Sequence, residues 1–149
     1  GGGYLDTAVE VASEFIGSGE VLIEEYGDGR RETFRVSGRG LATEIRLVVL
    51  VNEGTASASE IVAGAIQDYG RGTLVGMTTY GKGSVQRWVP LSGDNGAVRI
   101  TIARWLTPKG RQINEIGLKP EVEVAFSEED FNAGRDPQLE KAIDLLVNP

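Results

Sequence analysis

The sequence predicts an α/β fold in which a mixed sheet is covered by helices, and three observations carry that expectation. Apolar residues recur at helical spacing in three separate stretches, residues 4–16, 57–69 and 136–147. Short β-branched runs lie between them, and the nearly unbroken apolar run at 45–51 has the character of a strand in the middle of a sheet. Two pairs of such runs flank glycine-rich turns, as hairpins do. With 149 residues, 40% of them hydrophobic, the chain can bury a substantial core, and a single unit over residues 1–149 is expected.

Each element has its local reason. Residues 4–16 put Leu5, Ala8, Val9, Ala12, Phe15 and Ile16 on one helical face, with Gly17 as the stop. Residues 20–26 and 30–36 straddle Gly27-Asp28-Gly29 as a hairpin, and 37–40 form a loop before the strand at 45–51. A helix then begins at Ser57, carries Ile61, Ala65, Ile66 and Tyr69, and ends at Gly70 in a left-handed cap. Ser57 therefore sits at a strand-turn-helix junction, where the first helical N–H groups point outward. Residues 73–76 form a short strand and 77–83 a glycine-bounded loop. Residues 84–91 and 97–105 make a second hairpin. In its latter strand Val98, Ile100 and Ile102 are expected on a buried face, with Arg99, Thr101 and Ala103 on a wetter one. After a turn at 107–110, residues 117–124 are extended, because Pro120 disfavours helix before it. The final helix opens with an Asp136 cap and Pro137 at the first helical position, and Leu139, Ala142, Ile143 and Leu146 form its apolar stripe.

Composition excludes several chemistries. There is no Cys and no His, so zinc-finger, haem-histidine, Cys-His and Ser-His-Asp sites cannot be built; no metal and no cofactor is expected. The net charge of −7 and the absence of a basic stripe argue against a nucleic-acid partner. No apolar run approaches 18 residues and no leader pattern appears, so no membrane segment or export signal is expected in this chain. Gly76 to Lys82 matches most of the phosphate-binding loop G-x-x-x-x-G-K-[ST]. The match fails because Gly83 lacks the hydroxyl and a strand, not a helix, is expected to follow.

Ser57, Lys82 and Gln86 are the remaining candidates for chemistry. Ser57-x-x-Glu60 also fits a capping box, Thr55 and Ser59 are neighbouring hydroxyls, and a lysine between two glycines is ordinarily a solvated loop residue. Spacing alone leaves these readings side by side.

Taken together the motifs resemble the carboxy-terminal processing proteases, tail-specific serine peptidases with a Ser-Lys dyad. The similar stretches are residues 2–12, 50–65, 81–86, 107–113 and 136–139, in order along nearly the whole chain. The resemblance implies that Ser57, the middle serine of Thr55-Ala-Ser-Ala-Ser59, is the nucleophile. It makes Lys82, 25 positions on, the general base, and Gln86, four further, the residue that orients it. A lysine acts as base only when neutral, so its ordinary pKa of about 10.4 is expected to fall by burial. The family pattern implies an oxyanion site at the Ala58 N–H and at Gly2 or Gly3. It also implies a crotonase and Clp-protease-like core, a substrate bound as an extended strand on a sheet edge, and export to periplasm, cell envelope or thylakoid lumen. Gly1 stands where the family has Asn-Pro before the glycines. The chain is thus expected to lack the family's upstream strands and PDZ-type module, and to be weakly active or inactive alone. The rival reading is a non-catalytic peptide- or ligand-binding domain on the same scaffold, as in retinoid-binding relatives.

Overall fold

The structure, a computed structural model, describes residues 1–93 and 95–148. Its elements in chain order are α1 (Leu5–Phe15), β1 (Glu20–Tyr26), β2 (Arg31–Arg35), β3 (Val48–Val51), α2 (Ala58–Tyr69), β4 (Thr73–Gly76), β5 (Ser84–Pro90), β6 (Ala97–Leu106), β7 (Val122–Glu123), α3 (Glu128–Asn132) and α4 (Pro137–Val147). The expected α/β layering is present, with the two kinds of strand pairing divided between two sheets. One is antiparallel with the order β2-β1-β6-β5, and the other is parallel with the order β3-β4-β7.

Helix α2 joins β3 to β4 and packs between the sheets, touching β1 on one and β4 on the other, with α1 beside it. Its buried Ile61, Ala63, Ala65 and Ile66 meet Ala8 and Ala12 of α1, Val21 and Leu22 of β1, and Val51 and Leu74 of the parallel sheet. Small residues facing one another let the two helices approach closely, and each buried Val, Leu or Ile side chain contributes about 1.5–3 kcal/mol by leaving water. Gly70 closes α2 at φ 60°, as the sequence predicts. The Tyr69 hydroxyl is 2.9 Å from the Glu20 N–H and 3.0 Å from the Glu20 carbonyl, fixing the end of α2 to the start of β1. Helix α4 packs on β3 and β4, and Asp136 Oδ1 caps it by accepting from the Leu139 N–H at 2.9 Å.

Three expectations are corrected. The apolar run at 45–51 gives a strand only over Val48–Val51, and β3 is the outer strand of its sheet among the described residues, leaving Leu50 and Ile45 exposed. Val98, Ile100 and Ile102 are exposed as well. β6 pairs with β1 only over 103–106, so beyond that point the β5–β6 ribbon leaves the body and no layer covers its apolar face among the described residues. On α4 only Ala142 of the stripe is buried, and Gln138 is buried with it, donating to the Val124 carbonyl at 2.8 Å. Helix α3 is an element the sequence reading did not include; Ser127 and Asp130 form its capping box.

Candidate active site

Ser57 ends the turn that leaves β3 and lies at the N-cap of α2 with φ 57° and ψ −122°, a region L-residues rarely adopt. Such a conformation costs about 1–3 kcal/mol and persists where surrounding contacts impose it. It belongs to sharp strand-to-helix turns that hold a serine hydroxyl out over a site. The capping-box residues are both in place, and Ser57 N–H donates to Glu60 Oε2 at 2.8 Å. The Glu60 N–H, however, bonds the Ser57 carbonyl at 2.8 Å, so the hydroxyl carries no cap hydrogen bond. The box pattern is present, but the hydroxyl's side of it falls short of a hydrogen bond, and Ser57 Oγ stays available.

Lys82 arrives from the loop after β4. Strand β5 follows that loop, which removes the strand-loop-helix setting a phosphate site needs. The backbone of Lys82 is held on both sides: its N–H donates to Glu60 Oε2 at 2.9 Å, and its carbonyl accepts from the Trp105 indole at 3.0 Å. Gly81, at φ 84°, donates to Glu60 Oε1 at 2.7 Å. A Cβ at Gly81 would fall 2.7 Å from the Gly117 N, so only glycine fits this approach.

Glu60 is thus the joint of the site. It is fully buried, and its two oxygens accept from Ser57 N–H, Lys82 N–H, Gly81 N–H and, at 2.5 Å, the Thr79 hydroxyl. Thr79 is buried too and accepts from the Leu118 N–H at 2.7 Å. The sequence reading saw Glu60 only as a helix cap and missed Thr79 and Trp105. For Glu60 the signal was present, because an acid three residues after Ser57 serves a cap and a joint alike.

One cleft of about 370 Å³ gathers Gly3, Ser57, Ala58, Lys82 and Gln86, together with Glu24, Trp88, Arg99 and Trp105. Thr55 and Ser59 line a separate hollow with Val49 and Val62, so the fold distinguishes Ser57 from its neighbours. A Cβ built on Gly2 would stand 3.0 Å from Ser57 Cβ and 3.1 Å from the Ala58 N, which puts Gly2 at the serine, while Gly3 lines the cleft. Ala58 is the first residue of α2, so its N–H has no acceptor within the helix. Lys82 and Gln86 are exposed, against the expected burial of the lysine, and no hydrogen bond joins Ser57 Oγ to Lys82 Nζ among the described residues. Glu24 is 7% exposed, and its carboxyl is held above the usual range by burial, with the Tyr26 hydrogen bond opposing and the Glu32 charge reinforcing. No helix is long and apolar enough to cross a membrane among the described residues.

Comparison with known proteins identifies the family. Residues 1–124 match the model of peptidase family S41. The carboxy-terminal-processing protease of Bartonella bacilliformis is 44% identical over 125 residues, 83% of this chain and 28% of that protein. The carboxyl-terminal-processing protease of Synechocystis is 38% identical over 98% of this chain and 34% of its own length. Among solved structures, the photosystem II D1 C-terminal processing protease superposes with a TM-score of 0.79 at 42% identity, covering 84% of this chain and 32% of that one. The chain spans about a quarter to a third of the length of the curated relatives it matches. Its α/β core is the Clp-protease-like one. With a family model covering most of its length and relatives above 40% identity, the chain belongs to peptidase family S41.

Proposed function

We propose that residues 1–149 form the catalytic subdomain of a serine endopeptidase that cleaves proteins near their C-terminal tails through a Ser57-Lys82 dyad. The observation that carries this reading is the single buried carboxylate of Glu60, which accepts from the backbone N–H of both residues and so fixes a turn and a loop 25 positions apart in sequence to one point.

In this mechanism Ser57 Oγ attacks a peptide carbonyl while neutral Lys82 Nζ takes its proton, forming the C–O bond. The oxyanion lies against the Ala58 N–H and that of Gly2 or Gly3. As the C–N bond breaks, Lys82 returns the proton to the leaving amine. Water then attacks the acyl-serine, giving a proton to Lys82; the acyl C–Oγ bond breaks, Lys82 passes that proton to Ser57 Oγ, and the carboxylic acid product leaves. Gln86 accepts from the lysine amine and aims it without adding charge. Because Lys82 is exposed, the seated substrate itself supplies the desolvation that favours the neutral amine. The peptide lies extended along β5, the outer strand of its sheet, whose free edge can pair with a new strand; Pro90 at its end is typical of an edge. A protein substrate is the only partner this scheme requires, and an exported or lumenal compartment fits the chloroplast and bacterial relatives. A non-catalytic binding role gives no reason for a serine held at φ 57° with its hydroxyl uncapped.

The test is labelling with a fluorophosphonate serine probe, mapped by mass spectrometry, on this chain and on Ser57→Ala and Lys82→Ala, with circular dichroism to establish folding. Labelling at Ser57 that rises with pH and is lost in folded Lys82→Ala is expected. Labelling of Thr55 or Ser59 instead, or full labelling in Lys82→Ala, overturns the dyad.

A further inference from the structure

Three charged side chains line the cleft: Glu24, Lys82 and Arg99. Lys82 is neutral in its working form under the reading above, and Glu24 accepts from the Tyr26 hydroxyl at 3.1 Å. Arg99 makes no ion pair or side-chain hydrogen bond among the described residues. It sits directly across the β5–β6 ribbon from Trp88, an indole 64% exposed, in the same register series as Gln86 opposite Thr101. Residues two apart on a strand face one side, and Gln86, Trp88 and Arg99 all line the cleft. An exposed indole beside an unengaged guanidinium presents apolar area and a forked donor set, the pairing that receives a planar carboxylate over a hydrocarbon stem.

We propose that Trp88 and Arg99 form a specificity subsite that takes a carboxylate of the substrate. The proposal rests on the dyad reading, which makes the cleft the substrate site. The strand rise of about 3.3 Å per residue puts the pair roughly 7 Å along the ribbon from Gln86, so a peptide paired along β5 with its scissile bond level with Gln86 presents the residue two steps away to it. The bound carboxylate is either an Asp or Glu side chain or the free C-terminus of the tail, and both meet the guanidinium in the same way. In a chain of net charge −7, a lone cation at this wall also selects against lysine and arginine at that position.

The experiment is fluorescence titration of the Ser57→Ala chain, in which exposed Trp88 and buried Trp105 both line the cleft and report on its occupation. Four versions of one peptide are used, with Glu or Gln two residues from the cleavage point, each as a free carboxylate and as an amide at its C-terminus. The expected result is about tenfold tighter binding of a carboxylate-bearing peptide than of its neutral twin, weakening with salt. That preference is abolished in Arg99→Gln and partly kept in Arg99→Lys, while the fully neutral peptide binds all three alike. A Glu-over-Gln preference assigns the side chain, and a free-over-amidated preference assigns the C-terminus. Equal binding of all four peptides, a uniform loss in Arg99→Gln, or no binding at all overturns the subsite. Probe labelling of Ser57 in the unmutated chain reports on the dyad separately, so failure of one does not pass for failure of the other.

Discussion

Glu60→Gln tests the joint on which the site depends. The substitution keeps the shape of the side chain but turns one acceptor oxygen into an NH₂ donor. If the amide oxygen takes the Oε2 position, the Ser57 and Lys82 N–H groups keep their acceptor, while the Gly81 N–H faces a second donor and Thr79 must turn its hydroxyl proton away. In the opposite orientation the Ser57 and Lys82 N–H groups both lose theirs, so the first orientation wins. Its cost is one orphaned buried N–H, about 1–3 kcal/mol, plus the weakening of two charge-assisted bonds to neutral ones, about 0.5 kcal/mol each. The sum is about 3 kcal/mol, a large part of the 5–15 kcal/mol by which a domain of this size is stable. With a urea slope of about 2 kcal/mol/M, the unfolding midpoint falls by about 1.5 M. Labelling of Ser57 by the serine probe slows by about tenfold even well below that midpoint, because the Gly81-Lys82 backbone shifts. A midpoint within about 0.3 M of the parent together with an unchanged labelling rate would refute the reasoning, since it would mean that the four hydrogen bonds hold nothing in place.

Two further outcomes follow from the same cleft. Ser57→Gly unfolds at a higher urea concentration than Ser57→Ala, by about 1 kcal/mol, because glycine adopts φ 57° without the steric cost borne by alanine; equal midpoints would show that the backbone there is relaxed. Glu24→Gln raises the melting temperature at neutral pH, and the gain disappears at about pH 3.5, below the ordinary carboxylate range. The sign follows from burial, which lifts the Glu24 carboxyl above its unfolded value. The parent's stability from this group is therefore full in acid and is lost as pH rises through the folded pKa, whereas the amide carries no such loss. Calorimetry across that range checks it, and a gain that grows toward acid would contradict the account.

How much of this was legible depends on the range of the interaction involved. The Ser57 junction, the Gly70 cap and the Asp136 cap rest on residues within a few positions of one another, and periodicity with cap chemistry found all three. The alternation in β6 correctly sorted Arg99 from Val98 and Ile100 onto opposite faces. It could not say that the apolar face lacks a covering layer and that the polar face looks into the cleft, because side-chain alternation encodes direction and not what lies there. Likewise β3 reads as a central strand from its own residues, while its place at the edge among the described residues depends on which strands pair with it. Glu60 is the most instructive residue. Its local role as the acid of a capping box is true, yet its second role exists only because β4 runs parallel to β3 and returns the chain, through the loop at 77–83, to the same end of the sheet from which α2 departs. The 25-residue spacing of Ser57 and Lys82 is the length of that excursion: one helix, one strand and one loop. The spacing works as a motif because the crossover closes on a carboxylate in the helix's first turn. A change of loop length between Gly76 and Lys82 would break the site with every candidate side chain still present.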